Sequence, residues 1–296
     1  MANLYNVADS NIRRTYFLMI MFLILVILFG LLISYALDSI IILVIAIIYA
    51  IGSVIASYWW SDKIILNMFN AKEIQKKDNP ELFRLVENLS ITAGLPMPKI
   101  YILNEKQPNA FATGRNPDHS VVAFTTGLLE KLNRTELEGV IAHELSHIKN
   151  RDILVGSVVV VLVAVIAVLA RMYIRTSFWS SRTRGRGNEI FLLLGILAAI
   201  ILPFVATIIR LAISRKREFL ADASAALLTR YPEGLASALE KISKDTNPMR
   251  KANDQTASHL FISSPLKGQE NVTWFNKLFM THPPVKERIA ALQEQK

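Results

Sequence analysis

Cysteine is missing from all 296 residues. Its absence excludes disulfides and thiolate metal ligands, so any bound metal falls to histidine, glutamate or aspartate. It also fits a reducing compartment. Charge is scarce too, at 19% of residues, while hydrophobic residues reach 52% and the mean hydropathy is +0.35. A soluble chain of this size carries more charge, so the composition points to a membrane. No internal repeat is present. The net charge of +9 does not indicate nucleic acid, because the basic residues flank long apolar runs instead of mixing with aromatics on a polar surface. The expected environment is a lipid bilayer.

Four apolar runs stand out against the ~20 residues that cross a bilayer: Tyr16–Leu37, Ile40–Trp60, Ile153–Ala170 and Ile190–Ile213. Only Asp38 and Ser39 separate the first two, which predicts a tight helical hairpin, and Trp59 and Trp60 mark an interface. The first run is too long for a signal-peptide core and a second follows at once, so cleavage is not expected. Pro203 should kink the fourth. Arg13 and Arg14 precede the first hairpin, and Lys63, Lys72, Lys76 and Lys77 follow it, which places both flanks in the cytoplasm. The second hairpin fits this rule less well. Its loop, 171–188, is rich in arginine, yet a four-span count puts it outside, and the third run is barely long enough at about 27 Å. The runs hold almost no ionisable residue, which speaks against a transporter.

The expected architecture is a mainly α membrane protein with four transmembrane helices in two hairpins and a cytoplasmic α+β domain. Residues 1–60 form the N-terminal segment and first hairpin, and 153–213 the second. The cytoplasmic domain is split between 61–152 and 214–296. In its first part, Asn79-Pro80-Glu81 opens a helix that Gly94 ends. Lys99–Leu103, Asn109–Gly114 and Ser120–Phe124 read as strands, with a turn at Asn116-Pro117-Asp118. A capping box of Asn133 and Glu136 starts a further helix, whose apolar positions Leu137, Val140, Ile141, Leu145 and Ile148 keep the helical period. In the second part, Lys244–Thr273 is polar and suggests a mobile loop, and Pro284 opens a last helix, Val285–Gln293.

The helix begun at Asn133 carries His143-Glu144-Leu145-Ser146-His147. Residues four apart lie one above the other on a helix, so both imidazoles face the same way. That spacing suits two ligands of one Zn²⁺, with Glu144 beside the metal to deprotonate a water. A catalytic zinc needs a third protein ligand. Candidates are Glu218, Asp222, His119, His259 and His282. Glu218 and Asp222 share one face of an otherwise apolar helical segment, where buried carboxylates need partners; a zinc ligand and an acceptor for a ligand histidine would satisfy both. A favoured helix N-terminus, or pairing with Arg215 or Arg217, explains Glu218 equally well. The residues alone leave the choice open.

Taken together, His143-Glu144-Leu145-Ser146-His147, Glu218-Phe219-Leu220-Ala221-Asp222 and His282-Pro283 resemble the HtpX-type membrane zinc metalloproteases, relatives of the CAAX prenyl proteases. The resemblance covers nearly the whole chain and implies a zincin-like (gluzincin) domain. It implies Glu218 as third zinc ligand, Asp222 in support, and His282 beside the reacting carbonyl. Asn109-Ala110-Phe111-Ala112 looks like the family's edge strand, which pairs with substrate backbone. The expected activity is zinc-dependent peptide hydrolysis with Glu144 as general base. The expected partners are polypeptides, and the implied role is quality control of damaged membrane proteins under stress at the inner (cell) membrane. A processing protease with one dedicated substrate class is the nearest alternative. A scaffold with structural zinc is a further one, although such sites usually use cysteine.

Overall fold

The computed structural model describes residues 4–36, 38–180, 215–247, 249, 260–262 and 283–294. The fourth apolar run, the arginine-rich loop beyond Ser180, His259 and His282 lie outside the described residues. Helix α1 (Leu4–Ala36) begins well upstream of the run that starts at Tyr16. At ~1.5 Å per residue its 33 residues reach about 50 Å, beyond the ~30 Å of a hydrocarbon core. The extra turns carry Asn11 and Thr15, both buried. After a turn in which Asp38 takes φ 49°, α2 (Ile40–Trp59) runs back along α1. Among the described residues, two helical stretches are long and apolar enough to cross a membrane, Val7–Tyr35 and Ile40–Trp59.

A short helix, α3 (Ser61–Met68), leads to β1 (Lys72–Glu73) and α4 (Pro80–Ala93). The Asn79 side chain accepts the Leu82 N–H at 3.1 Å, and Gly94 closes α4 with φ 68°, so both expected ends hold. Strands β2 (Lys99–Leu103), β3 (Ala110–Gly114) and β4 (Ser120–Thr125) complete a sheet of order β1-β2-β4-β3. β2 and β4 are parallel, and β3 is an antiparallel edge strand with Phe111 opposite Ala123. Side chains alternate with the pleat. Ala110, Ala112, Val122 and Phe124 join a core with α4 and α6, while Phe111, Val121 and Ala123 pack with Ile65, Phe69 and Val160 on the other side. With both faces covered, β3 and β4 are buried at every position.

α5 (Thr126–Lys131) precedes α6 (Arg134–Lys149), which starts with the expected capping box: Asn133 N–H donates to Glu136 at 2.9 Å and Glu136 N–H to Asn133 at 3.0 Å. α6 breaks at Arg151, held at φ 60°, and α7 (Asp152–Ser180) follows. The first half of α7 is buried against α1 through Leu154, Val155, Val158 and Leu162. α8 (Arg215–Thr229) and α9 (Pro232–Lys244) pack on α6, and α10 (Val285–Gln293) packs on α8 and α9. One expectation fails in part. Within the supposed loop 244–273, Lys244 ends α9, and Phe261 is 1% exposed, its ring edge-on to those of Phe69 and Phe111. The polar composition of that stretch hides a short apolar plug.

Gly139 sits inside α6, where glycine costs about 1 kcal/mol relative to alanine. A Cβ there would lie 2.7 Å from the Leu235 backbone nitrogen of α9, so the glycine permits the close approach of two helices. Gly139→Ala should therefore lower stability by about 1–3 kcal/mol despite its better helix propensity. Gly52→Ala, whose Cβ would meet nothing within 4 Å, should not. Thermal unfolding in detergent compares them; equal midpoints would contradict this packing.

Candidate active site

α6 places His143 and His147 one turn apart with Glu144 between them, and α8 packs alongside and brings Glu218. One ligand atom from each of His143, His147 and Glu218 lies within 4.8 Å of the others. The His143 and His147 Nε2 atoms are 3.2 Å apart, and they stand 3.9 and 3.6 Å from the two Glu218 carboxylate oxygens.

Each imidazole is fixed from behind. Nδ1 of His143 lies 2.9 Å from Asp222 Oδ1, and Nδ1 of His147 lies 3.0 Å from Asp152 Oδ2. A carboxylate at Nδ1 selects the tautomer with its proton there and leaves Nε2 as a lone pair. At 3.2 Å the two Nε2 atoms share a cation, either a proton carried by His147 or a metal that both ligate. Two imidazole nitrogens and a carboxylate oxygen, with no sulfur, therefore fit a divalent metal of the imidazole-preferring kind. The donor set passes this chemical test.

Several buried groups support the carboxylates. Arg288 of α10 is 1% exposed and grips Asp222 with both arms of its fork, Nη2 to Oδ1 at 2.6 Å and Nε to Oδ2 at 2.8 Å. Its Nη1 also lies 3.7 Å from Glu218. Asp152 is held by Arg217 at 3.3 Å and by the Asn11 side chain at 2.8 Å, and the same Asn11 amide donates to the Asn150 carbonyl at 2.8 Å. The left-handed turn at Arg151 aims Asp152 back at His147. A membrane helix thus reaches the site directly.

Burial works against charge on most of these groups, and their partners decide the outcome. Burial pushes the Glu144 carboxyl up to about 7, with Glu218 adding to the rise against His147 and Arg288. Burial opposes a proton on His147, but the Asp152 hydrogen bond and the charges of Glu218, Asp152 and Glu144 outweigh it and raise the group to about 9. Burial holds His143 below its ordinary value. For Asp222 burial opposes ionisation, and the Arg288 guanidinium overcomes it and keeps the carboxyl below the usual range.

His143, Glu144, His147, Glu218 and Asp222 are therefore brought together. Asn109 directly precedes β3, and Ala110 and Ala112 turn backbone groups away from β4. The Ala112 N–H donates to Glu144, and the Ala110 carbonyl accepts the Ile262 N–H at 3.0 Å. His119 stands apart, exposed in the β3–β4 turn beside Asn116. Asp152, Arg288 and Asn11 escaped the sequence analysis, and Arg217, considered there as a partner of Glu218, reaches Asp152. For Arg288 a signal existed: it shares the inner face of α10 with Val285 and Leu292, where an arginine is out of place without a carboxylate partner.

A small mixed sheet above a helix bearing paired imidazoles and a carboxylate, with a third donor from a second helix, defines a metallopeptidase. The description Peptidase family M48 matches residues 76–296. The chain belongs to that family, and it is a membrane metalloendopeptidase. It is 46% identical over 291 residues to the Protease HtpX homolog of Dictyoglomus turgidum, covering 98% of this chain and 94% of the relative. It is 44% identical over 300 residues to that of Thermoanaerobacter pseudethanolicus, covering 98% and 97%. Among solved structures it is similar to S. mikatae Ste24p, with a TM-score of 0.47 and 18% identity over 83% of this chain and 57% of the other.

If Asp222 and Asp152 orient the imidazoles, Asp222→Asn and Asp152→Asn should each weaken metal retention about 10–100-fold. Metal content after equilibration against graded chelator measures this. Retention equal to the unaltered protein in both variants would refute the orienting role.

Proposed function

We propose that this metalloendopeptidase is a zinc enzyme that faces the cytoplasm and degrades damaged or misfolded membrane proteins. The observation carrying the proposal is the convergence of His143, His147 and Glu218 with both Nδ1 atoms already committed to carboxylates. Zinc held by these three residues would supply a Lewis acid for the scissile carbonyl and lower the pKa of water to about 7. Glu144 takes the proton of the attacking water and returns it to the leaving amine. A carboxyl raised to about 7 by burial suits a group that must both accept and donate near neutrality. Asp222 orients His143, and Asp152 does the same for His147. His282 contributes a second contact to the developing oxyanion.

Substrate backbone adds to the β3 edge along Asn109–Ala112 in place of the Ile262 hydrogen bond. Recognition through main-chain groups tolerates many sequences, which suits a protease that clears diverse damaged chains. For topology, Arg13, Arg14 and Lys63 flank the first hairpin on one side, which supports a cytoplasmic site between 61–152 and 214–296. The second hairpin at the inner membrane uses the runs 153–170 and 190–213; the helix of the first continues to Ser180, so only the arginine-rich segment beyond Ser180 is left of the expected loop 171–188, on the far side.

Glu144→Gln should lower casein cleavage by at least about 10²–10⁴-fold with metal still bound, whereas His143→Ala should lose the metal. A cation beside Glu144 favours its ionised form, so the acid limb of kcat/KM in the unaltered protein should fall below pH 7. Full activity in Glu144→Gln would defeat the general-base role.

The lack of cysteine makes topology directly measurable. A cysteine introduced at Ser180 should react with a membrane-impermeant maleimide from the outer face of the cytoplasmic membrane. Labelling only from the cytoplasmic side would overturn the four-span arrangement.

A further inference from the structure

A crevice of about 580 Å³ sharing no residue with the three-donor cluster opens where the end of α2 meets α3 and the turn between β3 and β4. One wall is apolar. Ile55, Trp59 and Trp60 are 46%, 51% and 50% exposed and end a helix of mean hydropathy 2.8. Tryptophans at the end of a spanning helix sit at headgroup depth. The other wall is polar and carries Lys63 from α3, Lys99 and Tyr101 from β2, and Arg115 and His119 from the β3–β4 turn.

The cations differ in their commitments. Lys99 is 3.5 Å from Glu73. Among the described residues, Lys63 and Arg115 have no carboxylate within ion-pair distance. Arg115 instead lies over the Trp59 ring, 4.6 Å from its centroid, where a cation–π contact fastens the turn to the helix end. Asp62 and Asp118 also line the crevice and Glu73 answers Lys99, so the charges balance in number; what sets the crevice apart is that Lys63 and Arg115 line it without a carboxylate at ion-pair distance. Asp62 and Lys63 are neighbours on α3, and adjacent helical residues do not face each other.

We propose that this crevice binds the headgroup of an anionic phospholipid, with the phosphodiester between Lys63 and Arg115 and an acyl chain along Ile55 and Trp59. Arginine matches a phosphodiester through paired N–H donors, and basic pockets beside spanning helices take such headgroups. Asp118, exposed at the rim, accepts hydrogen bonds from a hydroxylated headgroup such as phosphatidylglycerol. A free phosphate fills only the polar half and leaves the Ile55 and Trp59 wall uncovered. A lipid covers both walls at once. This inference rests on insertion of α1 and α2 in a bilayer and is independent of the proteolytic mechanism.

Native mass spectrometry of the full-length protein in detergent, titrated with phosphatidylglycerol, phosphatidylethanolamine or phosphatidylcholine, tests it. Phosphatidylglycerol should bind best. Lys63→Gln and Arg115→Gln should each weaken its retention about fivefold, and the double variant should weaken it further. Metal content should stay unchanged in all three variants. Equal retention of the three lipids, or phosphatidylglycerol binding unaffected in the double variant, would overturn the proposal. Displacement of the lipid by millimolar inorganic phosphate would assign the site to free phosphate and overturn it too.

Discussion

On α6 the imidazoles of His143 and His147 meet through their Nε2 atoms, 3.2 Å apart, because each Nδ1 is already engaged by a carboxylate. Two nitrogens presented in this way, beside the oxygens of Glu218, form a buried cluster of donor atoms that a cation must hold together, a proton or a metal. Such an arrangement is unfavourable as a core and favourable as a metal site. The surrounding polar residues hold these donors in place. Arg288 is fully buried yet spends its fork on Asp222, and removing one member of such a buried pair typically costs about 3–5 kcal/mol. Asp152 is held from two further directions by Arg217 and Asn11. Each partner restricts a rotation that would otherwise let an imidazole swing away.

The same network ties chemistry to the bilayer. Asp152 is the first residue of α7, whose next turns pack on α1, and Asn11 belongs to the part of α1 that outreaches the hydrocarbon core. The orientation of His147 therefore depends on α1, one of the two helices long and apolar enough to cross a membrane among the described residues, and on α7, which packs against it. On the opposite side, β3 passes its edge across the site and reaches the interfacial crevice through Arg115, the residue after its last. Anchoring in this molecule is part of the site's construction, since α1 contributes the Asn11 side chain to it.

Much of this was legible in the sequence, for physical reasons. Periodicity and caps located α4, α6 and α10, because Asn79, Gly94 and the Asn133–Glu136 box are local devices that act on neighbouring backbone. The strands and the turn at Asn116 were visible from composition and spacing. His143, Glu144 and His147 were evident because one helix holds all three. Glu218 and Asp222 needed the family resemblance, since nothing local says which helix face meets α6. Asp152 and Asn11 were invisible: their partners are distant in sequence or depend on a left-handed turn at Arg151 that has no sequence signature. The burial of Phe261 was missed because a three-residue apolar plug inside a polar stretch is too short for any periodic signal.

X-ray absorption at the zinc edge, on zinc-loaded protein purified in detergent, goes most directly to the arrangement on which all this depends. Two imidazole nitrogens and otherwise only oxygen donors in the first shell are expected, and one imidazole should disappear in His147→Ala. A shell with no imidazole scattering, or one unchanged by removal of His147, would contradict it.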